Sequence, residues 1–158
     1  MNGYRTTSVD ATRQLAVAVA SLARSGDLVL LVGDLGAGKT AFTQGFARGL
    51  GIDDAITSPT FTLARSYKGR LLLNHLDVYR LENVQEAEDL ALGELLESGV
   101  TLIEWGDTII PALPADYLEV RFGFGEDDDD REVDLRIVGP GWSPRQRTLT
   151  ELLVAWAC

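Results

Sequence analysis

The chain is poor in several things, and each shortage narrows what it can be. It has one cysteine, the terminal Cys158, in 158 residues. That excludes an internal disulfide framework and a cysteine-rich metal site. It has one histidine, His75. No apolar run reaches the length of a membrane span, and Met1-Asn2-Gly3-Tyr4-Arg5 has no signal-peptide core, so a cytoplasmic protein without membrane contact is expected. Basic residues are also short: 14 Lys and Arg face 24 Asp and Glu, a net charge of −10. Binding to a nucleic-acid backbone is driven largely by cations displacing counterions, so any nucleic acid in this protein's pathway is expected to be held by another subunit.

What is present is a 46% hydrophobic composition, enough for one domain with a sizeable core, and one stretch that organises the rest. Gly33-Asp34-Leu35-Gly36-Ala37-Gly38-Lys39-Thr40 fits the phosphate-binding loop G-x-x-x-x-G-K-[ST] at every fixed position. Glycines let successive backbone N–H groups close around phosphate oxygens. Lys39 brings a positive charge to the β- and γ-phosphates, Thr40 offers a hydroxyl to Mg²⁺, and a helix opening through Ala41 aims its dipole at the same anion. The flanks supply the required context. Leu28-Val29-Leu30-Leu31-Val32 reads as a strand buried on both faces, and Phe42, Phe46, Ala47 and Leu50 recur at helical spacing before Gly51.

Around that unit the pattern predicts a helix over about Thr6–Ser25, N-capped by Ser8, with Ala11, Leu15, Ala18, Val19 and Leu22 on its inner face. Ser58-Pro59-Thr60-Phe61-Thr62-Leu63 favours a strand after its proline, and Lys68-Gly69-Arg70 a hairpin turn into Leu71–Leu76. Glu86–Glu97 reads as an amphipathic helix that Gly99 stops, and Val100–Ile103 as a buried strand. Leu118, Val120, Phe122 and Phe124 alternate with polar residues in a half-exposed strand, and Val133, Leu135 and Ile137 alternate in another. Between them, Glu126–Asp130 should be a solvated hairpin tip, and a last helix over about 144–157 should dock on the body.

A phosphate loop needs a carboxylate at the tip of a neighbouring strand to hold Mg²⁺ or a water. Asp77 and Glu104 both follow buried strands and both qualify; the sequence does not divide the roles between them. His75 is either a strand histidine satisfied by hydrogen bonds or a catalytic one, Trp105 either packs or borders the nucleotide, and Thr60 suits a segment that responds to the γ-phosphate. Tyr79 and Arg80 either gate the phosphates or brace the loop after their strand.

The phosphate loop, then Ser58-Pro59-Thr60-Phe61-Thr62-Leu63, His75-Leu76-Asp77-Val78-Tyr79-Arg80-Leu81 and Ile103-Glu104-Trp105, taken in this order, resemble the TsaE (YjeE) family of small bacterial ATPases. The resemblance spans about Ser8–Asp107; the final helix and the Asp127–Asp130 cluster lie outside it. It implies a single P-loop NTPase domain over residues 1–158, with a mostly parallel central sheet, helices on both faces and antiparallel strands at the edges. It implies a Mg²⁺-dependent ATP hydrolase required for the N6-threonylcarbamoyladenosine (t6A) modification of tRNA. Such an enzyme drives turnover of a TsaB–TsaD heterodimer, which transfers the threonylcarbamoyl group and meets the tRNA. By position, Lys39 and Thr40 would bind phosphate and Mg²⁺, Glu104 would hold the metal, Asp77 would act on a metal-bound or attacking water, and Trp105 would lie beside the nucleotide, with Ser8 and Val9 close to the adenine. Hydrolysis by the isolated chain should be slow and partner-activated, since no arginine finger is fixed in the sequence. Two other readings compete: a small-molecule kinase, although no arginine-rich lid is visible, and a nucleotide-sensing module that hardly hydrolyses. A GTPase is disfavoured because neither Asn-Lys-x-Asp nor a D-x-x-G glycine after Asp77 occurs.

Overall fold

A computed structural model describes residues 2–34, 36–56, 64–77, 92–104 and 113–158. In chain order the elements are β1 (Asn2–Thr6), α1 (Val9–Ala20), β2 (Leu28–Val32), α2 (Lys39–Gly49), β3 (Ala64–Lys68), β4 (Leu72–Asp77), α3 (Leu92–Ser98), β5 (Val100–Glu104), β6 (Tyr117–Phe124), β7 (Arg131–Val138) and α4 (Gln146–Leu152). The strands form one seven-stranded mixed sheet in the order β1-β7-β6-β2-β5-β4-β3. The pairings β6–β2, β2–β5 and β5–β4 are parallel; β3–β4, β6–β7 and β7–β1 are antiparallel. The expected parallel centre with antiparallel edges is therefore the topology observed.

That topology positions the site. Four central strands point the same way, so Val32, Asp77, Glu104 and Phe124 all end on one edge of the sheet. The β6–β7 hairpin turns over on that edge, and β1 finishes there with Thr6 opposite Arg131.

Strand β2 is buried at all five residues, and the period of two divides them between two cores. Val29 and Leu31 face the larger core, with Leu15 and Val19 of α1 and Phe42 and Phe46 of α2. Leu28 and Leu30 face a smaller one with Leu76 and Ile103, against which Leu95 and Leu96 of α3 are packed. Helices thus cover both faces. Phe42 and Phe46 have no exposed surface, and each contributes roughly 1.5–3 kcal/mol by burial.

Helices α1 and α2 lie side by side and parallel, closely enough to require glycine. A Cβ on Gly45 would come 2.2 Å from the Arg13 carbonyl oxygen, and one on Gly49 would come 2.6 Å from the Ala20 Cβ. Because the two helices run in the same direction, their N-termini reach the site edge together.

Several expectations are corrected. Helix α1 starts after Ser8, whose Oγ accepts from the Ala11 N–H at 3.0 Å, but it stops at Ala20 and not near Ser25. Strand β1 escaped the sequence reading, since a five-residue edge strand draws its stability from β7 and shows just Tyr4 and Thr6 buried among its described side chains. Strand β6 is not half-exposed: it lies between β2 and β7, and Glu119 is buried with Arg121 donating to its carboxylate at 3.1 Å. The final helix is broken into a 3₁₀ turn (Ser143–Arg145), α4 and a second 3₁₀ turn (Val154–Trp156). It docks through Leu149 and Leu153, while Leu152 is exposed. Its anchor is a buried bidentate ion pair, Arg145 Nη1 and Nη2 to the two Asp27 carboxylate oxygens at 2.6 and 2.8 Å, with the guanidinium 4.0 Å above the ring of buried Trp142. The stretches 58–63 and 86–91 lie outside the described residues; β3, the hairpin turn, β4 and α3 occupy the described remainder as expected.

Candidate functional site

The loop leaves the end of β2 pressed against β6. A Cβ on Gly33 would stand 3.0 Å from the Phe122 carbonyl oxygen, so the exit admits only glycine without displacing that strand. Gly36 (φ +81°) and Gly38 (φ +115°) adopt the left-handed region, and the Ala37 N–H closes a tight turn onto the Asp34 carbonyl at 3.0 Å. Helix α2 begins at Lys39 behind Gly38, which offers no side-chain cap, so its first turn opens towards the loop with the positive end of its dipole.

Lys39 is buried, and its Nζ donates to the carbonyls of Gly33 at 2.5 Å and Asp34 at 2.9 Å. The ammonium is thereby held inside the loop, where an arriving phosphate would exchange for these carbonyls. Thr40 is exposed one residue further on, and Ala41 is half-buried.

Glu104 ends β5, directly beside β2, and Asp77 ends β4 one strand further out, where it is the register partner of Glu104. The sheet therefore brings both predicted carboxylates to the loop's edge. Glu104 is 3% exposed; Thr43 Oγ1 lies 3.4 Å from its Oε1 and donates at 2.9 Å to the Lys39 carbonyl, tying the carboxylate to α2. His75 Nε2 also lies 3.3 Å from Glu104 Oε1, yet both ring nitrogens are buried without a formed hydrogen bond. The expectation of a strand histidine satisfied by hydrogen bonds is thus corrected. Asp77 is half-buried. Leu35, Thr60, Tyr79, Arg80 and Trp105 lie outside the described residues.

Two contributors were missed. Thr43 is a polar residue inside the apolar stripe Phe42–Phe46, which was the available signal. Arg131 follows the acidic run, and its Nη2 donates to the Gly36 carbonyl at 3.2 Å. The run itself is not uniformly solvated, because Asp130 is buried and ion-paired with Arg5 of β1. That guanidinium holds the Asp130 carboxyl below the usual carboxylate range.

The donor set suits Mg²⁺. Glu104 is a buried carboxylate, an oxygen donor of the kind Mg²⁺ takes, whose described polar neighbours are the Thr43 hydroxyl and the His75 imidazole. Among the described residues no group of three or more His, Cys, Asp or Glu forms a cage, but Mg²⁺ is commonly held by one or two carboxylates together with substrate phosphates. Among the described residues no helix is long and apolar enough to cross a membrane.

The profile of the family described as "Threonylcarbamoyl adenosine biosynthesis protein TsaE" matches residues 6–133. The tRNA threonylcarbamoyladenosine biosynthesis protein TsaE of Bacillus subtilis is 45% identical over 141 residues, covering 86% of this chain and 85% of the relative. That of Streptomyces coelicolor is 41% identical over 138 residues, covering 83% and 93%. The crystal structure of YdiB from Bacillus subtilis superimposes with a TM-score of 0.76 at 39% identity, covering 97% of this chain and 93% of the other.

Proposed function

The chain belongs to the TsaE family, and from that premise and the loop geometry we propose that it is a P-loop NTPase of the single-domain kind, a Mg²⁺-dependent ATPase serving tRNA t6A modification. The observation that carries this reading is the position of the Lys39 ammonium: buried inside a glycine loop, on two loop carbonyls, with Glu104 on the strand next door.

In this scheme the loop amides from Gly33 to Ala41 bind the phosphates, and Lys39 leaves the Gly33 and Asp34 carbonyls to neutralise charge on the β- and γ-phosphoryl oxygens. Thr40 and Glu104 would hold Mg²⁺, which would supply charge neutralisation on the phosphates. Glu104 takes this role and not Asp77, because it is one strand closer to the loop and is tied to α2 through Thr43. Asp77, less buried and at the outer strand, orients the attacking water. Ser8 and Val9, at the start of α1, are where the adenine would rest, and Trp105, next in sequence to Glu104, would border the nucleotide.

No arginine finger is fixed in the sequence, so neutralisation by Lys39 makes hydrolysis slow in the isolated chain. Contact with a TsaB–TsaD heterodimer, which holds the tRNA, raises the rate, and the cytoplasm is the compartment. The test is to mix the protein with TsaB–TsaD and follow both t6A formation and phosphate release, with ATP and Mg²⁺ present or omitted. The expected result is sustained t6A turnover only when this chain and ATP are both present. Full-rate hydrolysis by the chain alone, indifferent to TsaB–TsaD, would contradict it.

A further inference from the structure

The outermost turn of the phosphate loop is held from a distance of 95 residues in sequence. A Cβ on Gly36 would find no atom within 4 Å, so the loop tip is not packed into the body of the protein. What reaches it is Arg131, the first residue of β7. Its Nη2 donates to the Gly36 carbonyl at 3.2 Å, while its Nη1 donates to the carbonyls of Asp128 (2.6 Å) and Asp130 (2.8 Å). The guanidinium also stacks 5.0 Å from the centre of the Phe124 ring, and its stem passes over Gly38. The hairpin that carries it is itself pinned, by the Asp130–Arg5 ion pair to β1 and by the Gly125 N–H on the Asp130 carbonyl at 3.0 Å. The arginine is therefore a fixed post with one donor pointed at the loop.

The direction of that hydrogen bond matters. A trans peptide carries its C=O and N–H on opposite sides. With the Gly36 oxygen drawn outward to Arg131, the Ala37 N–H of the same peptide is turned inward, onto the Asp34 carbonyl. A glycine at φ +81° tolerates a flip of this peptide more readily than any other residue, and the flipped form would place a carbonyl dipole against the bound phosphates. We propose that Arg131 is a positioning residue for nucleotide binding, holding the Gly36–Ala37 peptide from the β6–β7 hairpin with its carbonyl turned away from the phosphates. This gives the hairpin a task, which is to carry the strut. The inference rests on the nucleotide-binding reading of the loop given above.

The test compares the wild type with Arg131→Ala and Arg131→Lys by calorimetric titration with Mg²⁺-ADP, alongside steady-state hydrolysis and apo-protein thermal unfolding. A charge-assisted hydrogen bond at an exposed position predicts that Arg131→Ala weakens ADP binding and raises KM roughly 3- to 10-fold, with kcat within about twofold. The lysine variant should recover most of the loss, which a purely structural defect would not allow. Unchanged affinity in Arg131→Ala would overturn the inference, and so would a fall in kcat at unchanged affinity, which would assign Arg131 to the transition state. If the alanine variant fails to fold, the lysine variant decides alone. Wild-type affinity restored in Arg131→Lys supports the strut, and a tenfold loss there overturns it. Absence of binding by the wild type would refute the nucleotide reading itself and is distinguishable from all of these.

Discussion

Asp77 and Glu104 are register partners at the ends of two parallel strands, and of the two only Glu104 ends a strand that adjoins β2, which feeds the Gly33–Thr40 loop. That one-strand difference separates two acids that look alike in sequence. Glu104→Gln should raise the Mg²⁺ concentration needed for half-maximal activity by at least about tenfold. Asp77→Asn should leave that concentration unchanged and lower kcat by roughly 100-fold while ADP still binds. Mg²⁺ titrations of both variants check the division, and the opposite pattern would exchange the two roles.

Lys39→Ala should abolish measurable nucleotide binding, since it removes the buried cation of the loop, while leaving the circular-dichroism spectrum intact. Calorimetry and spectroscopy on the same sample separate loss of binding from loss of fold. Binding retained within threefold would show that the lysine does not meet the phosphates.

Gly45→Ala sets two effects against each other. Helix propensity favours alanine by about 1 kcal/mol, but the new Cβ would lie 2.2 Å from the Arg13 carbonyl oxygen in a contact formed by backbone. The clash should win, destabilising the protein by roughly 1–3 kcal/mol in urea unfolding. A neutral or stabilised variant would show that the two helices can separate freely.

The ease of reading differed by element, for physical reasons. Strand β2 and helix α2 announced themselves because burial on both faces leaves a continuous apolar run and one-sided burial leaves a 3.6-residue stripe. The Gly33–Thr40 loop was legible because its glycines and Lys39 fall at the fixed positions of a local motif. The parts that escaped depend on residues far apart in the chain. Glu119 looks like a surface alternation until β7 covers its strand. Arg145 looks like a solvent-facing cation until Asp27, 118 residues away, meets it. Arg131 gains meaning only when the hairpin folds over the loop tip. No local period encodes such pairings.

The Asp27–Arg145 pair is buried on both sides, with side-chain exposures of 10% and 7%. Arg145→Ala leaves the Asp27 carboxylate buried without its main partner and should cost about 3–5 kcal/mol. Asp27→Ala together with Arg145→Ala should cost clearly less than the sum of the single changes. Strict additivity in chemical denaturation would mean that the pair does not couple α4 to the body.

Asp130 gives a pH signature. Its carboxyl is held below the unfolded value by the Arg5 guanidinium. Its contribution is therefore complete above the unfolded aspartate pKa of about 3.9 and is lost as pH falls through the lower, folded one. Thermal unfolding of wild type and Asp130→Asn should differ by a constant amount from pH 7 down to about pH 4 and converge only as pH falls further, through the lower folded pKa. A gap that persists unchanged to the most acidic pH at which the protein still folds would contradict the pairing.

The central claim is that the loop from Gly33 to Thr40 grips a nucleotide triphosphate with Lys39. Its most direct measurement is titration calorimetry of the purified chain with a non-hydrolysable ATP analogue and Mg²⁺, run in parallel on Lys39→Ala. Saturable one-to-one binding by the wild type and none by the variant is the predicted result. Heat no greater than dilution in the wild type at millimolar nucleotide, or equal binding by both proteins, would contradict it.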